Sequence, residues 1–236
     1  MVTMEATAMK ISKETIEVLK NFASINSNIL IKPGSEIKTL SNYKNVLAQA
    51  TVEEDFPAEF GIWDLHKFLG VVSLFDDPSF EFHEKYVTIS GEGGSTVKYF
   101  YSEPKLLTTV TKELKMPPSV VNCEINESDF REIQKAASVL QLPDIKIETP
   151  QSDIDDIVLT VFDRKDPSTN EYSFKVGRQE ETSAEFGFFF KVENLKMLTG
   201  DYDVEICENS VAKFVNKNRD ISYWVAMEPD SYYKPL

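Results

Sequence analysis

The alternation of apolar and polar residues in KISKETIEVLKNFASIN, residues 10–26, predicts an amphipathic helix. Ile16, Leu19 and Ala23 recur at helical spacing and form a stripe that we expect to be buried. Ser12 precedes the helix, where its hydroxyl can accept a hydrogen bond from an amide of the first turn. The opposite face is polar and consists of Lys13, Glu17, Lys20 and Ser24.

The same pattern returns without a gap in INESDFREIQKAASVLQ, residues 125–141. A repeat of this kind indicates a duplicated structural unit. At 236 residues the chain has room for two domains of ordinary size. The alignment pairs Ile11 with Ile125, Ser12 with Asn126, Ile16 with Phe130, Leu19 with Ile133, Ala23 with Ala137 and Ser24 with Ser138.

Alternating apolar residues predict strands around these helices. In the first half they fall at 29–32, 43–52, 59–63, 80–90 and 96–101, and Asp64 caps a second helix, DLHKFLGVVSLF. In the second half strands are predicted at 120–125, 145–147, 156–162, 172–177, 184–190, 202–207, 213–215 and 221–227, with a short helix at 192–197. The predicted fold class is therefore α+β, with antiparallel strands and two helices on one face of each half.

The stretch SEPKLLTTVTKELKMPPS, residues 102–119, contains three prolines and no sustained period. We interpret it as a surface connector between the halves. The predicted organisation is a disordered lead at 1–8, an N-terminal domain at 9–103, the connector at 104–119 and a C-terminal domain at 120–236. Because the organised sequence begins near Met9, that methionine is an alternative start.

The net charge of -14 argues against a protein that holds nucleic acid by bulk electrostatic attraction. A few local lysines facing DNA remain compatible with it. Cys123 and Cys207 are too few and too far apart for a disulfide framework or a zinc site, so we expect two reduced core cysteines. No apolar run is long enough to cross a bilayer, so no membrane association is expected.

Candidate catalytic and metal motifs all have simpler explanations. The acidic groups at 76–77 and 153–156 lie in predicted turns, and DRKDPSTNE, residues 163–171, lacks the glycine and terminal glutamate of a calcium loop. GEGGS, residues 91–95, lacks the lysine of a phosphate loop. Neither cysteine has a local histidine signature. We therefore expect no catalytic residue, metal or cofactor.

The chain resembles the sliding clamps, or DNA polymerase processivity factors, of large tailed bacteriophages. The resemblance rests on four stretches in the same order, on an internally duplicated chain: KISKETIEVLKNFASINSNI, WDLHKFLGVVSLF, VENLKMLTGDY and SYWVAMEPDS. It spans almost the whole length from Met9.

The resemblance implies a homotrimeric ring of six similar domains, with helices lining a hole for duplex DNA and antiparallel sheets forming the outer wall. It implies as partners non-specific duplex DNA, the phage DNA polymerase, a clamp-loader ATPase and other copies of the chain, and it leaves open a role with late-transcription factors. The site of action would be the host bacterial cytoplasm. The implied DNA-facing set is Lys13, Lys20, Lys67, Arg131, Lys135 and Lys196, although Ser138 stands where the family more often has a basic residue.

A clamp must hold its polymerase and its loader by a shared surface, which we expect to be a small apolar site beside the connector. The candidates are Leu106, Leu107, Pro117, Met227, Pro229 and Tyr232, and we expect them at the junction between the halves. The alternative for each is that it packs the connector down. The competing class of protein is a monomeric, duplicated α+β protein-binding module.

Overall fold

The computed structural model describes residues 7–110, 114–179, 184–208 and 211–236. The chain divides into two compact units, Met1–Lys112 and Glu113–Leu236. The boundary between them falls inside the predicted connector.

The first unit combines two helices with antiparallel strand pairs. Its sheets have the strand orders β1-β6-β7-β8, β2-β5 and β3-β4 within the described residues. Helix α1 packs on β3, β4 and α2. The elements are β1 (Thr7–Lys10), α1 (Lys13–Ile25), β2 (Ile29–Ile31), β3 (Gly34–Leu40), β4 (Val46–Phe56), β5 (Phe60–Ile62), α2 (Leu65–Val72), β6 (Ser79–Phe82), β7 (Tyr86–Ser90) and β8 (Thr96–Phe100).

The second unit has one α-helix packed on two antiparallel sheets, again within the described residues. The strand orders are β12-β11-β10-β13-β17 and β16-β15-β14-β9. Helix α3 packs on β11 and β12. The elements are β9 (Ser119–Ile125), α3 (Glu127–Leu140), β10 (Asp144–Glu148), β11 (Asp156–Phe162), β12 (Tyr172–Arg178), β13 (Ala184–Lys191), β14 (Tyr202–Cys207), β15 (Val211–Asn216), β16 (Ile221–Ala226) and β17 (Tyr232–Pro235).

Large aromatic side chains fill the core of each unit. In the first unit the rings of Phe56, Phe60 and Phe82 lie with centroids 5.1–6.3 Å apart. In the second unit Phe130 from α3 packs beside Tyr202, with ring centroids 5.8 Å apart. The contacts of the first unit join strands β4, β5 and β6, and the contact of the second unit joins α3 to β14. Aromatic pairs add to the free energy gained from burial.

The structure corrects several expectations from the sequence. The lead was expected to be disordered through Ala8, but Thr7 and Ala8 already pair with β6; residues 1–6 lie outside the described residues. The predicted strand at 80–90 is a hairpin of β6 and β7, closed by a hydrogen bond from His83 N to Tyr86 O at 3.0 Å. The predicted strand at 43–52 runs instead from Val46 to Phe56.

Two further corrections concern the helices. Ile16 is only half-buried, and the buried stripe of α1 consists of Thr15, Val18, Leu19, Phe22 and Ala23. The helix predicted at 192–197 is a 3-10 turn, Val192–Asn194. The second unit therefore has a single α-helix in its described part, where the sequence predicted two.

Candidate DNA-facing and partner-binding surfaces

The polar face of α1 is exposed as predicted, and it carries Lys13 and Lys20. Two acceptors hold the start of this helix. Ser12 Oγ accepts a hydrogen bond from Thr15 N at 3.1 Å. The carboxylate of Glu54, on β4, accepts from Ser12 N and from the Thr15 hydroxyl. Glu54 is 8% exposed, so a buried acid on the sheet anchors the start of the helix that carries both lysines.

Lys67 lies on the exposed side of α2. Asp64 caps this helix as predicted, since its carboxylate accepts from Lys67 N at 2.9 Å. The buried side carries Phe68, whose ring meets Tyr99 of β8 edge to face with centroids 5.1 Å apart. Because α2 packs against α1, the first unit brings its three predicted DNA-facing lysines onto two touching helices.

Arg131 and Lys135 are exposed one turn apart on α3. Asn126, which the repeat aligns with the cap Ser12, accepts from Asp129 N in the first turn at 2.9 Å. Asp201, which the sequence did not single out, accepts from Glu127 N at 2.8 Å. The side chain of Glu127 also pairs with the Arg131 guanidinium. Arg131 is thus already engaged by an acid of its own helix, which weakens the field it can offer to a phosphate.

Glu132 lies between Arg131 and Lys135 on α3 and is hydrogen-bonded by a residue of the sheet. The Tyr172 hydroxyl, on β12, donates a hydrogen bond to the Glu132 carboxylate. This contact raises the pKa of Tyr172, with burial and the charge of Glu132 acting in the same direction. Glu132 is therefore drawn toward β12.

Lys196 is exposed in the segment that follows the 3-10 turn. This segment is tied to α3 by a hydrogen bond from Gln134 Nε2 to Leu195 O at 3.3 Å. A cavity of about 610 Å³ lies beside it. Its lining consists of Gln134, Leu142, Pro143, Lys191, Val192, Glu193, Leu195 and Lys196.

Both cysteine thiols have a raised pKa. Burial raises the pKa of Cys123 to about 12. Burial also raises the pKa of Cys207, with the charge of Glu205 adding to the effect. Neither thiol is therefore ionised near neutral pH, and neither has the depressed pKa of a nucleophilic cysteine.

No group of three His, Cys, Asp or Glu side chains within the described ranges is arranged to hold a metal ion. A search of the same ranges for a helix long and apolar enough to span a membrane also finds none.

The two predicted partner-binding leucines of the connector have different surroundings. Leu106 is 59% exposed, whereas Leu107 is 8% exposed. A Cβ added at Gly61 would lie 2.5 Å from Leu107 Cδ1 and 2.6 Å from Ser102 O. Thr108 N also donates to Asn28 Oδ1 at 2.8 Å. Leu107 therefore packs the start of the connector onto the first unit, which is the alternative considered from the sequence.

The other four candidates belong to the second unit. Pro117 is exposed, and its carbonyl accepts from Cys207 Sγ at 3.1 Å. Met227 is half-buried and Pro229 is exposed. Tyr232 is half-buried on β17, a strand that the sequence did not predict, and its ring covers Gly187 of the paired strand β13. Their predicted meeting with the connector leucines stays a prediction.

Comparison with known proteins matches both units to clamp families. Residues 12–101 match the family described as DNA polymerase processivity factor, and residues 122–229 match the family described as gp45 sliding clamp, C terminal. The chain is 33% identical over 223 residues to the sliding clamp of Vibrio phage KVP40, covering 93% of this chain and 99% of the relative. It is 29% identical over 230 residues to the sliding clamp of Escherichia phage RB69, covering 94% and 98%.

Solved structures share the fold at much lower identity. A proliferating cellular nuclear antigen from Entamoeba histolytica superposes with a TM-score of 0.69 at 14% identity, covering 96% of this chain and 100% of that one. A beta clamp of H. pylori gives a TM-score of 0.69 at 13% identity, covering 94% and 66%. The duplicated α+β units thus define a DNA-clamp fold. The chain belongs to the phage sliding-clamp family, whose members are DNA polymerase processivity factors.

Proposed function

We propose that three copies of this chain close head to tail into a ring around duplex DNA and tether the phage DNA polymerase to its template. The DNA-facing residues are Lys13, Lys20, Lys67, Arg131, Lys135 and Lys196. The ring performs no catalysis of its own, and it acts in the host bacterial cytoplasm.

The observation that carries the ring is a pair of open sheet edges, one in each unit. β8 ends one sheet and β12 ends another within the described strands. Phe100 on β8 is 64% exposed, and Tyr172 on β12 is 36% exposed. Edge strands with exposed aromatic residues are avoided by monomeric proteins because they template association. Pairing β8 of one copy with β12 of the next would cover both edges.

Apolar residues beside the two edges extend these surfaces. Leu74 follows α2 and is 71% exposed. Its neighbour Phe75 lies against Gly91, close to where β8 begins. Val139 is 71% exposed on α3, two turns after Glu132, the residue that accepts a hydrogen bond from Tyr172 of β12. A head-to-tail contact between two different surfaces repeats from one copy to the next. It forms a closed ring when the rotation between successive copies adds up to a full turn.

The electrostatics support encirclement over tight binding. The chain carries a net charge of -14, and Glu17 and Glu127 lie among the basic residues of the helices. Each exposed lysine that meets a phosphate adds a small, salt-sensitive, sequence-independent attraction. A closed ring needs no more than this to stay on duplex DNA, and weak contacts permit sliding.

The polymerase and the clamp-loader ATPase would use one surface in turn, and the same surface could serve late-transcription factors. The proposed contacts are Leu106, Pro117, Met227, Pro229 and Tyr232; Leu107 supports the connector from beneath. Tethering raises the effective concentration of the polymerase at the primer end.

Multi-angle light scattering tests the ring. We expect about three times the chain mass of 26.9 kDa for the wild type. Phe100→Glu should lower the mass, because it places a charge on the paired edge. Tyr43→Glu is the matched control, since Tyr43 is 91% exposed in a turn between β3 and β4. A monomeric wild type at micromolar concentration and near-physiological salt would contradict the ring and favour a monomeric binding module.

Titration with the C-terminal peptide of the cognate polymerase tests the partner site. Amide shifts should perturb the region around Met227 and Tyr232, and Met227→Ala should weaken binding by truncating an apolar contact. Perturbation confined to the helices would refute the assignment.

A further inference from the structure

Arg164 links two distant parts of the second unit. It lies in the loop DRKDPSTNE between β11 and β12, and its guanidinium reaches the segment between β16 and β17. Arg164 Nη2 donates to Glu228 Oε2 at 2.6 Å, and Nη1 donates to Asp230 Oδ1. The Arg164 side chain is 25% exposed and that of Glu228 is 22% exposed. The bond to Glu228 is thus partly shielded from solvent, where hydrogen bonds are electrostatically stronger, whereas the Asp230 side chain is 54% exposed.

The two carboxylates belong to one tight turn. Ser231 N donates to Glu228 O at 3.0 Å, which closes a four-residue turn with Pro229 at its first corner position. Both ends of the turn are bound to β13, since Glu228 N donates to Phe189 O at 2.8 Å and Phe189 N donates to Ser231 Oγ at 2.9 Å. Arg164 therefore bridges the first and third residues of a turn that stands on the sheet.

Arg164 is itself anchored to the sheet. Its backbone N donates to Asp144 Oδ2 at 3.1 Å. Asp144 is 1% exposed, and its other oxygen pairs with Lys191. A buried carboxylate held by two partners fixes its donors firmly. The loop thus presents the guanidinium in one place.

We propose that Arg164 is a positioning residue for partner docking: it holds the turn at Glu228–Ser231 so that Met227 and Pro229 are preorganised to receive a partner peptide. This inference rests on the docking site proposed above. Without the guanidinium, Glu228 and Asp230 repel each other across the turn. The segment must then be ordered again each time a partner binds, and that ordering cost reduces affinity.

The test compares Arg164→Gln with Lys217→Gln in the full chain. Lys217 is a matched control because it also bridges two carboxylates, those of Glu124 and Asp203, and lies outside the proposed edge strands β8 and β12. The probe is a fluorescent peptide from the C terminus of the cognate polymerase, followed by anisotropy. We expect Arg164→Gln to bind about 3- to 10-fold more weakly, with an unchanged solution mass, and Lys217→Gln to bind as the wild type.

Two further readouts separate positioning from direct contact. Amide hydrogen exchange at Ser231 should accelerate in Arg164→Gln, because the turn opens. The charge-swapped pair Arg164→Glu with Glu228→Arg should recover affinity lost in Arg164→Glu alone.

Wild-type affinity in Arg164→Gln, or an equal loss in Lys217→Gln, would overturn the inference. So would weakened binding with unchanged Ser231 exchange, since Arg164 would then contact the peptide itself. Met227→Ala separates the two proposals. If Met227→Ala binds normally while Arg164→Gln is weakened, the docking residue is wrong and the turn remains the element the partner needs. The reverse result refutes the positioning role alone.

Discussion

Replacing Lys20 and Lys135 together by glutamine removes one exposed charge from the helix of each unit. Neither side chain is buried, so we expect the free energy of unfolding to change by less than about 0.5 kcal/mol per site. A helix-surface lysine also contributes little to any edge-strand pairing. The variant should therefore assemble as the wild type does, and any effect on DNA can be assigned to lost charge.

The size of that effect follows from counterion release. Each phosphate contact contributes about 0.9 to the slope of log affinity against log salt concentration. A ring with both lysines from each of three chains loses up to six contacts, so the slope should become shallower by up to about 5. Over a fourfold range of salt this difference corresponds to a factor of about 1000 in affinity.

The assay is fluorescence anisotropy with a labelled linear duplex, between about 50 and 200 mM NaCl. The control is the pair Lys32→Gln and Lys165→Gln, which changes the net charge equally at exposed positions outside the helices. Loss of slope in the helix variant alone is the expected result. An unchanged slope in that variant, or an equal loss in the control, would refute the placement of Lys20 and Lys135 against DNA.

Three other predictions concern stability. Gly61→Ala should lower the free energy of unfolding by about 1–3 kcal/mol in urea titrations, because the added Cβ would clash with the connector. Gly70→Ala, in open space on α2, should raise the free energy of unfolding by about 0.5–1 kcal/mol. Equal effects of the two substitutions would contradict the tight contact at Gly61. Glu54→Ala should cost about 1–3 kcal/mol, since Ser12 N loses its buried acceptor, and a wild-type urea midpoint would contradict this. Burial raises the pKa of Tyr202 to about 12. Between pH 10 and 12 only the unfolded state ionises at this tyrosine, so the stabilisation of the folded state by Tyr202 is complete below pH 10 and is lost as the pH rises toward 12. A melting temperature that stays constant between about pH 9 and 11.5 would contradict this prediction.

The helices of this protein were predictable because their signals are local. Ser12 and Asp64 cap the helices that the sequence assigned to them, and Asn126, aligned with Ser12 in the repeat, caps α3. A cap and the amide that donates to it lie within one turn, and apolar spacing indicates the buried face of a single element. The ungapped repeat likewise predicted two units without any knowledge of how strands pair.

The missing helix of the second unit shows where local patterns stop. The same alignment pairs Val18 with Glu132 and Phe22 with Ala136. Val18 and Phe22 are buried in α1, whereas Glu132 is exposed and Ala136 is only half-buried. In the second unit α3 therefore offers less apolar surface on this flank. The stretch after β13 still has residues compatible with a helix, but short helices depend on tertiary packing for most of their stability.

Strand pairing and the anchoring contacts were decided only by the tertiary structure. Glu54 meets the start of α1 across some forty residues, and Arg164 meets Glu228 across more than sixty. β17 was not predicted, because four residues with two tyrosines become a strand only when β13 offers its free edge. Such contacts join residues that are far apart in the sequence and meet only when the chain folds. The sequence around one residue of the pair contains no pattern that identifies its partner. The local sequence could therefore determine the capped helices and the duplication, while the failed helix at 192–197, the pairing of the strands and the docking turn depended on long-range packing.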